Sequence, residues 1–351
     1  MKARSFLPAL QVCRAIAALM VVFHHYWHEV IHFFHVHNSI LDYIADCGKS
    51  GVDFFFVLSG FIICYAHMEK RGDASAIKDY ALGRVLRIYI PYLPIGLCML
   101  AAYKVFPSLS YVNRDINTIK SVTLLPFPGL TALSVAWTLV HEMFFYMVFV
   151  VFFLSRRWFA GLIAAWVILI CLGWWLHWGT DHDLPGFVLN PYNVEFILGV
   201  FGAYAFARIL PFGVKGVALG LIALTTVLSF CPAILDSKLM VGSIFLLLVL
   251  LAAHSPLNRI SARNILMILG NASYSIYLIH DPEISLFMRI VPKHSQPVYL
   301  WGVSLSFIIA VCVSGVLYSR IFERYLLKKA KAWIMQGPAP APRGSMPQIA
   351  S

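Results

Sequence analysis

Runs of about 20 apolar residues recur along this chain, and no other feature constrains its fold as strongly. A helix of that length matches the hydrocarbon thickness of a bilayer. Inside a bilayer every backbone polar group must be satisfied within its own segment, so such runs coil into helices. Ten can be placed, at about 8–28, 52–68, 86–106, 132–154, 158–177, 192–208, 213–231, 239–253, 264–283 and 298–318. The spacing predicts an all-α, polytopic membrane helix bundle of about ten transmembrane helices. Composition agrees: 60% of the 351 residues are hydrophobic and 12% are charged, against about 45–50% and about 25% in a soluble domain. That balance excludes a soluble enzyme, a disordered chain and a disulfide scaffold.

The net charge of +11 is a matter of topology. With a cytoplasmic N-terminus, 19 of the 27 Lys and Arg fall on inner segments and 7 on outer ones, with Arg14 inside the first span. This asymmetry follows the positive-inside rule and predicts both termini cytoplasmic. No basic patch with interleaved aromatics lies on a soluble segment, so no nucleic acid is expected as a partner. The opening Met1-Lys2-Ala3-Arg4 resembles a signal peptide, but Arg14 breaks the apolar run and no small-residue cleavage site follows; the segment reads as a retained first span. Residues 1–333 read as one transmembrane domain. Residues 334–351, rich in Pro, Ala, Gly and Ser, read as a disordered cytoplasmic tail. The seven Cys show no metal-ligand spacing; Cys47 and Cys231 fall in loops, and their pairing is left open.

Ionisable residues within spans are costly, about 2.5–3.5 kcal/mol each at a helix centre, and persist where they pair or act. Arg14 lies in span one, His24 and His25 near its outer end, and Asp53 opens span two. Glu142 lies about 15 Å into span four at 1.5 Å per residue. Glu195 and His280 sit near the outer ends of spans six and nine. Spans one and two run antiparallel, so His25 and Asp53 come to similar depth, and an Asp beside a His fixes its tautomer and raises its basicity. Arg84 and Arg87 are spaced i, i+3 and project from one helix face about 5–6 Å apart. Two guanidinium forks at that spacing suit a pair of phosphates, although ordinary positive-inside flanking explains them too. Arg14 also reads as a structural ion-pair partner, and a single histidine as a hydrogen-bonded helix end.

Five blocks, in order, resemble the acyltransferase 3 family of integral-membrane O-acyltransferases. They are the segment from Leu10 through Arg14 to His24 and His25, the segment Gly51-Val52-Asp53 through Ser59-Gly60, and the Arg84, Arg87, Pro91, Tyr92 block. Trp137-Thr138-Leu139-Val140-His141-Glu142-Met143-Phe144-Phe145-Tyr146 and the segment Leu269-Gly270-Asn271 through Tyr277 to His280 complete the set. The fourth block is closest in wording to the exopolysaccharide acetyltransferase branch. The resemblance implies ten spans, a cytoplasmic acyl-CoA donor and an acceptor outside the cytoplasm, usually a cell-surface or secreted glycan. It aligns the family's essential histidine with His25, its R-x-x-R with Arg84 and Arg87, and its acid with Glu142. Gln11 and Met143 depart from the wording of many members, and this bears on the acceptor.

Residues and resemblance converge on one expectation. Acyl-CoA, as co-substrate and with no permanently bound cofactor, docks on Arg84, Arg87 and Arg14. His25, Asp53 and Glu142 carry the chemistry, and Trp137, Glu195, Tyr277 and His280 are the candidate substrate-binding residues. The acyl group expected is acetyl, with other short acyl groups open. The partners are a polysaccharide or lipid-linked glycan and membrane lipid, and the location is a bacterial inner membrane. Direct transfer is preferred over an acyl-enzyme on Ser59, Cys64 or His25, since no G-x-S-x-G is present. A glycan transporter or flippase without acyl transfer is the alternative. No metal site is assigned; His24, His28 and His32 are spaced i, i+4, which is the rival metal-binding pattern.

Overall fold

The computed structural model describes residues 7–69, 72–107, 115–176, 178, 184–208, 216, 219–220, 236–292 and 297–336. Most of the expected span at 213–231, Cys231 and most of the expected tail lie outside them. The helices are α1 (Pro8–Phe34), α2 (Ser39–Gly48), α3 (Gly51–His67), α4 (Ala74–Val105), α5 (Thr118–Thr123), α6 (Trp137–Leu154), α7 (Arg156–Trp175), α8 (Leu184–Val188) and α9 (Tyr192–Arg208). They continue as α10 (Asp236–Ala253), α11 (Ile265–Asn271), α12 (Ser273–Ile290) and α13 (Pro297–Ser319). A π-helical turn, Arg320–Leu326, then leads into α14 (Leu327–Gln336). No strand occurs among the described residues. Among the described residues, six helical segments are long and apolar enough to cross a membrane.

Local chemistry sets the ends. Pro8 occupies the first turn of α1, where its missing N–H is not needed. Asn38 caps α2 by accepting from Ile40 and Leu41, and Asp73 caps α4 by accepting from the Ala76 amide at 2.6 Å. That cap starts α4 well before the expected 86, so Arg84 and Arg87 sit within a continuous helix and not at its entry. The single apolar run at 264–283 is two helices, because Ala272 interrupts between α11 and α12. α9 matches its expected bounds.

Small residues set the closest crossings. A side chain at Gly60 of α3 would strike the Phe196 carbonyl of α9, and one at Gly199 of α9 would strike the Val57 carbonyl of α3. The two helices therefore meet backbone to backbone, with Phe56, Phe145 and Phe196 packed around the crossing. In the same way Gly270 of α11 admits the Gln11 carbonyl of α1.

Two apolar cores result. One surrounds α3 with residues of α4, α6, α9 and α10; the other lies between α1 and α11–α13, around Tyr26, Trp27 and Phe307. Tyr26 also donates to or accepts from Ser304 at 2.8 Å. α7 and α13 instead leave Trp158, Ile168, Leu172, Leu305, Ile309 and Val313 exposed. Apolar surface on that scale belongs against lipid.

Candidate active site

A cavity of about 800 Å³, including its open mouth, lies where the two cores meet. α1, α3, α4, α6 and α12 each contribute to its wall. Arg14, Arg84 and Arg87 all face it, with Glu142, Ser59 and Tyr146. Residues expected to act together from three distant stretches of sequence thus line one cavity.

The arginines are held without being neutralised. Arg14 Nε donates to Ser273 Oγ at 3.1 Å. The Arg84 guanidinium lies over the Tyr146 ring at 5.2 Å and the Tyr80 ring at 5.9 Å. Among the described residues, no carboxylate stands within ion-pair distance of any of the three. Lys331, on α14, lies in the electrostatic field of Arg84 and Arg87 and adds to the positive charge there. A half-buried concentration of unpaired guanidinium groups is a receptor for phosphate oxygens.

Glu142 is the acid in the cavity wall. Tyr146, one helical turn on, donates its hydroxyl to Glu142 Oε1, and Ser59 Oγ donates to the same oxygen at 3.3 Å. Tyr80 donates to the Tyr146 carbonyl at 3.0 Å and holds that turn in place. Tyr274 and Tyr318 donate to the carbonyls of Ile88 and Pro91, fixing α12 and α13 to α4 beside the arginines. Glu323 accepts from the Ser275 amide and, at 2.5 Å, its hydroxyl.

The histidine end differs from expectation. Asp53 does not orient His25: its Oδ1 accepts from Lys238 Nζ at 2.5 Å, and Lys238 also lies 4.1 Å from the Tyr192 ring. The depth argument placed Asp53 correctly along α3 but not its rotation, which turns it toward α10. Glu195, also fully buried, belongs to this second cluster, its carboxyl group lying beside that of Asp53 and in the field of Lys238. Trp137 lies against Tyr192 and Phe56, with ring centroids 5.0 and 6.1 Å away.

His25 is not in the cavity wall. It packs against His280, with ring centroids 5.3 Å apart, and His280 lies 5.6 Å from the ring of Tyr277. Tyr277 does line the cavity and is hydrogen-bonded to Thr138 at 2.9 Å. Three rings thus lead from the cavity wall to His25. His24 Nδ1 donates to the Ala45 carbonyl oxygen at 2.7 Å, and His28 pairs with Asp46 at 3.3 Å. Among the described residues, no group of three or more His, Cys, Asp or Glu is placed to hold a metal ion.

Two residues of the site were absent from the sequence reading. Lys238 was given no role there. Tyr146 was quoted in a motif but given no role, although its i, i+4 spacing from Glu142 signals a shared helix face. Of the candidate acyl carriers, Ser59 faces the cavity, whereas Cys64 is fully buried.

A family model described as "Acyltransferase domain" matches residues 7–319, and the chain belongs to this acyltransferase 3 family. Among similar proteins, a Staphylococcus aureus (strain COL) protein named "Putative O-acetyltransferase" is 24% identical over 87% of this chain and 55% of its own length. The chain therefore spans about half the length of that relative. The exopolysaccharide production protein ExoZ of Rhizobium meliloti (strain 1021) is 27% identical over 81% of this chain and 91% of its own. No solved structure matches the chain.

Proposed function

We propose that this chain is a membrane-embedded O-acyltransferase. It moves an acyl group, acetyl in the first instance, from acyl-CoA to a hydroxyl of a cell-surface or exported polysaccharide. The observation that carries this reading is the cavity with three unpaired arginines from α1 and α4 and one carboxylate. Acyl-CoA presents phosphates at one end and a thioester at the end of an extended arm. Arg84, Arg87 and Arg14 bind the phosphates. The arm runs along α3, whose cavity-lining residues extend from Val52 to Ile62, about 15 Å of helix. This carries the thioester from the arginine end toward the histidine end.

In this reading the chain crosses a bacterial inner membrane about ten times, with both termini and the arginine end cytoplasmic. The acceptor hydroxyl enters at the other end, past Trp137 and Tyr277. His25 takes the hydroxyl proton as the oxygen attacks the thioester carbonyl. The C–O bond forms, the C–S bond breaks, and CoA leaves as its thiol after gaining a proton from His25. A general base of this kind contributes about 10²–10⁴-fold, and a shared pocket adds proximity. Glu142 sets the electrostatics between the two ends. The names of the similar proteins, an O-acetyltransferase and an exopolysaccharide production protein, support acetyl as the group and polysaccharide as the acceptor.

The test uses inside-out membrane vesicles, acetyl-labelled CoA and matched expression of the parent and His25→Ala. Label in extractable glycan with the parent alone supports the reading. Equal label with both removes His25 as the base. No label above empty vesicles with either overturns the donor or the acceptor.

A further inference from the structure

His280 is fully buried, and its Nδ1 lies 2.7 Å from the Tyr277 carbonyl oxygen. A carbonyl only accepts, so Nδ1 carries the proton and the neutral ring presents Nε2 as a bare acceptor. That Nε2 is buried with no hydrogen-bond donor. An unsatisfied buried acceptor costs about 1–3 kcal/mol, and such groups call for a reason. The adjacent ring is His25, 5.3 Å away between centroids. Two imidazoles joined by one N–H···N hydrogen bond of ordinary length have centroids about 5 Å apart. The spacing of the two rings therefore allows a hydrogen bond from a His25 ring nitrogen to His280 Nε2.

We infer that His280 is the positioning residue of His25, accepting a hydrogen bond from one His25 ring nitrogen so that the other stays bare toward the acceptor. The hydrogen bonds run from the acceptor hydroxyl to the bare His25 nitrogen, from the His25 N–H to His280 Nε2, and from His280 Nδ1–H to the Tyr277 carbonyl. Each ring donates one hydrogen bond and accepts one, the proton taken from the hydroxyl stays on His25 until it passes to the CoA thiolate, and no charge is buried before reaction. His280 thus fills the place that Asp53, taken by Lys238, leaves empty. Its purpose rests on the acyl-transfer reading; its existence rests on ring geometry alone. The titratable groups in the field of the pair are His24 and His28 of α1 and Asp281 of α12, whose carboxylate accepts from Ser134 at 2.7 Å.

The experiment reads the His25 tautomer by ¹⁵N NMR of histidine-labelled full-length protein in detergent, at a pH where the ring is neutral. His25→Gln identifies the resonance among the 13 histidines. The parent is expected to show one tautomer and His280→Phe a mixture. His280→Gln, whose amide oxygen accepts while its nitrogen donates to Tyr277, is expected to restore one tautomer. In vesicles supplied with labelled acetyl-CoA, His280→Phe is expected to lower kcat by at least about 10-fold, a part of what a general base supplies, with the KM for acetyl-CoA unchanged. His280→Gln should recover most of it. The same tautomer distribution in the parent and in His280→Phe overturns the inference. A parent with one tautomer and no acyl transfer keeps the hydrogen bond and overturns the functional reading instead.

Discussion

Replacing Arg84 and Arg87 by Gln, singly, tests the donor site most sharply, because the two side chains share a ligand but differ in their surroundings. A hydrogen bond to a charged group contributes about 1.5–3 kcal/mol. Both arginines are half-buried and face a cavity with an open mouth, so the lower figure applies, about a 10-fold rise in the KM for acetyl-CoA. Arg87→Gln should show that rise with kcat little changed, the signature of lost ground-state binding. Arg84 also lies 5.2 Å from the Tyr146 ring, a contact of about 0.5–2 kcal/mol. Tyr146 in turn holds Glu142, so Arg84→Gln should raise KM and lower kcat together. The double variant should fall short of the product of the singles, since neighbouring groups on one ligand couple. The assay is the initial rate of label transfer from acetyl-CoA in inside-out vesicles, at several donor concentrations and two ionic strengths. Unchanged KM in both single variants would refute the phosphate role.

Glu142→Gln keeps the shape and the hydrogen bonds from Ser59 and Tyr146 but removes the negative charge. It should lower kcat and leave or lower the KM for acetyl-CoA, opposite in sign to the arginine variants; a raised KM would count against the assignment. Lys238→Met strands Asp53 and Glu195 without a cation and should destabilise the protein by about 3–5 kcal/mol, read as a lower melting temperature in detergent. Adding Asp53→Asn to Lys238→Met should recover much of that loss. Gly60→Ala forces α3 away from the Phe196 carbonyl and should cost about 1–3 kcal/mol by overpacking, while the exposed Gly161, with open space around its Cβ position, should accept Ala without loss.

The parts of the site legible in the sequence are those set within one helix. Arg84 and Arg87 share a face through i, i+3 spacing, and Glu142 and Tyr146 share one through i, i+4. The depth of Arg14, His25, Asp53 and Glu142 also follows from position along a span. What was hidden is rotation between helices. A span that meets lipid on one side and apolar neighbours on the other is apolar all round, so its pattern does not say which face meets which partner. α3 is such a helix: its residues from Val52 to Ile62 line the cavity, yet Asp53 turns toward Lys238 of α10. The same limit concealed the contact of His25 with His280, which joins residues 255 positions apart. The break at Ala272 was hidden for another reason: Asn264 caps α11 and Ala272 ends it, and the small and polar Gly270, Asn271 and Ser273 that mark the break are outweighed by the apolar stretches on either side of them.

The proposed donor site is the cavity between α1, α3, α4, α6 and α12. Determining the structure of the full chain with CoA bound tests it most directly. Phosphates are expected within hydrogen-bond reach of Arg14, Arg84 and Arg87, with the thiol end beside Tyr277 and directed toward His25. CoA bound elsewhere, or bound in the cavity with its thiol at the arginine end, would contradict it.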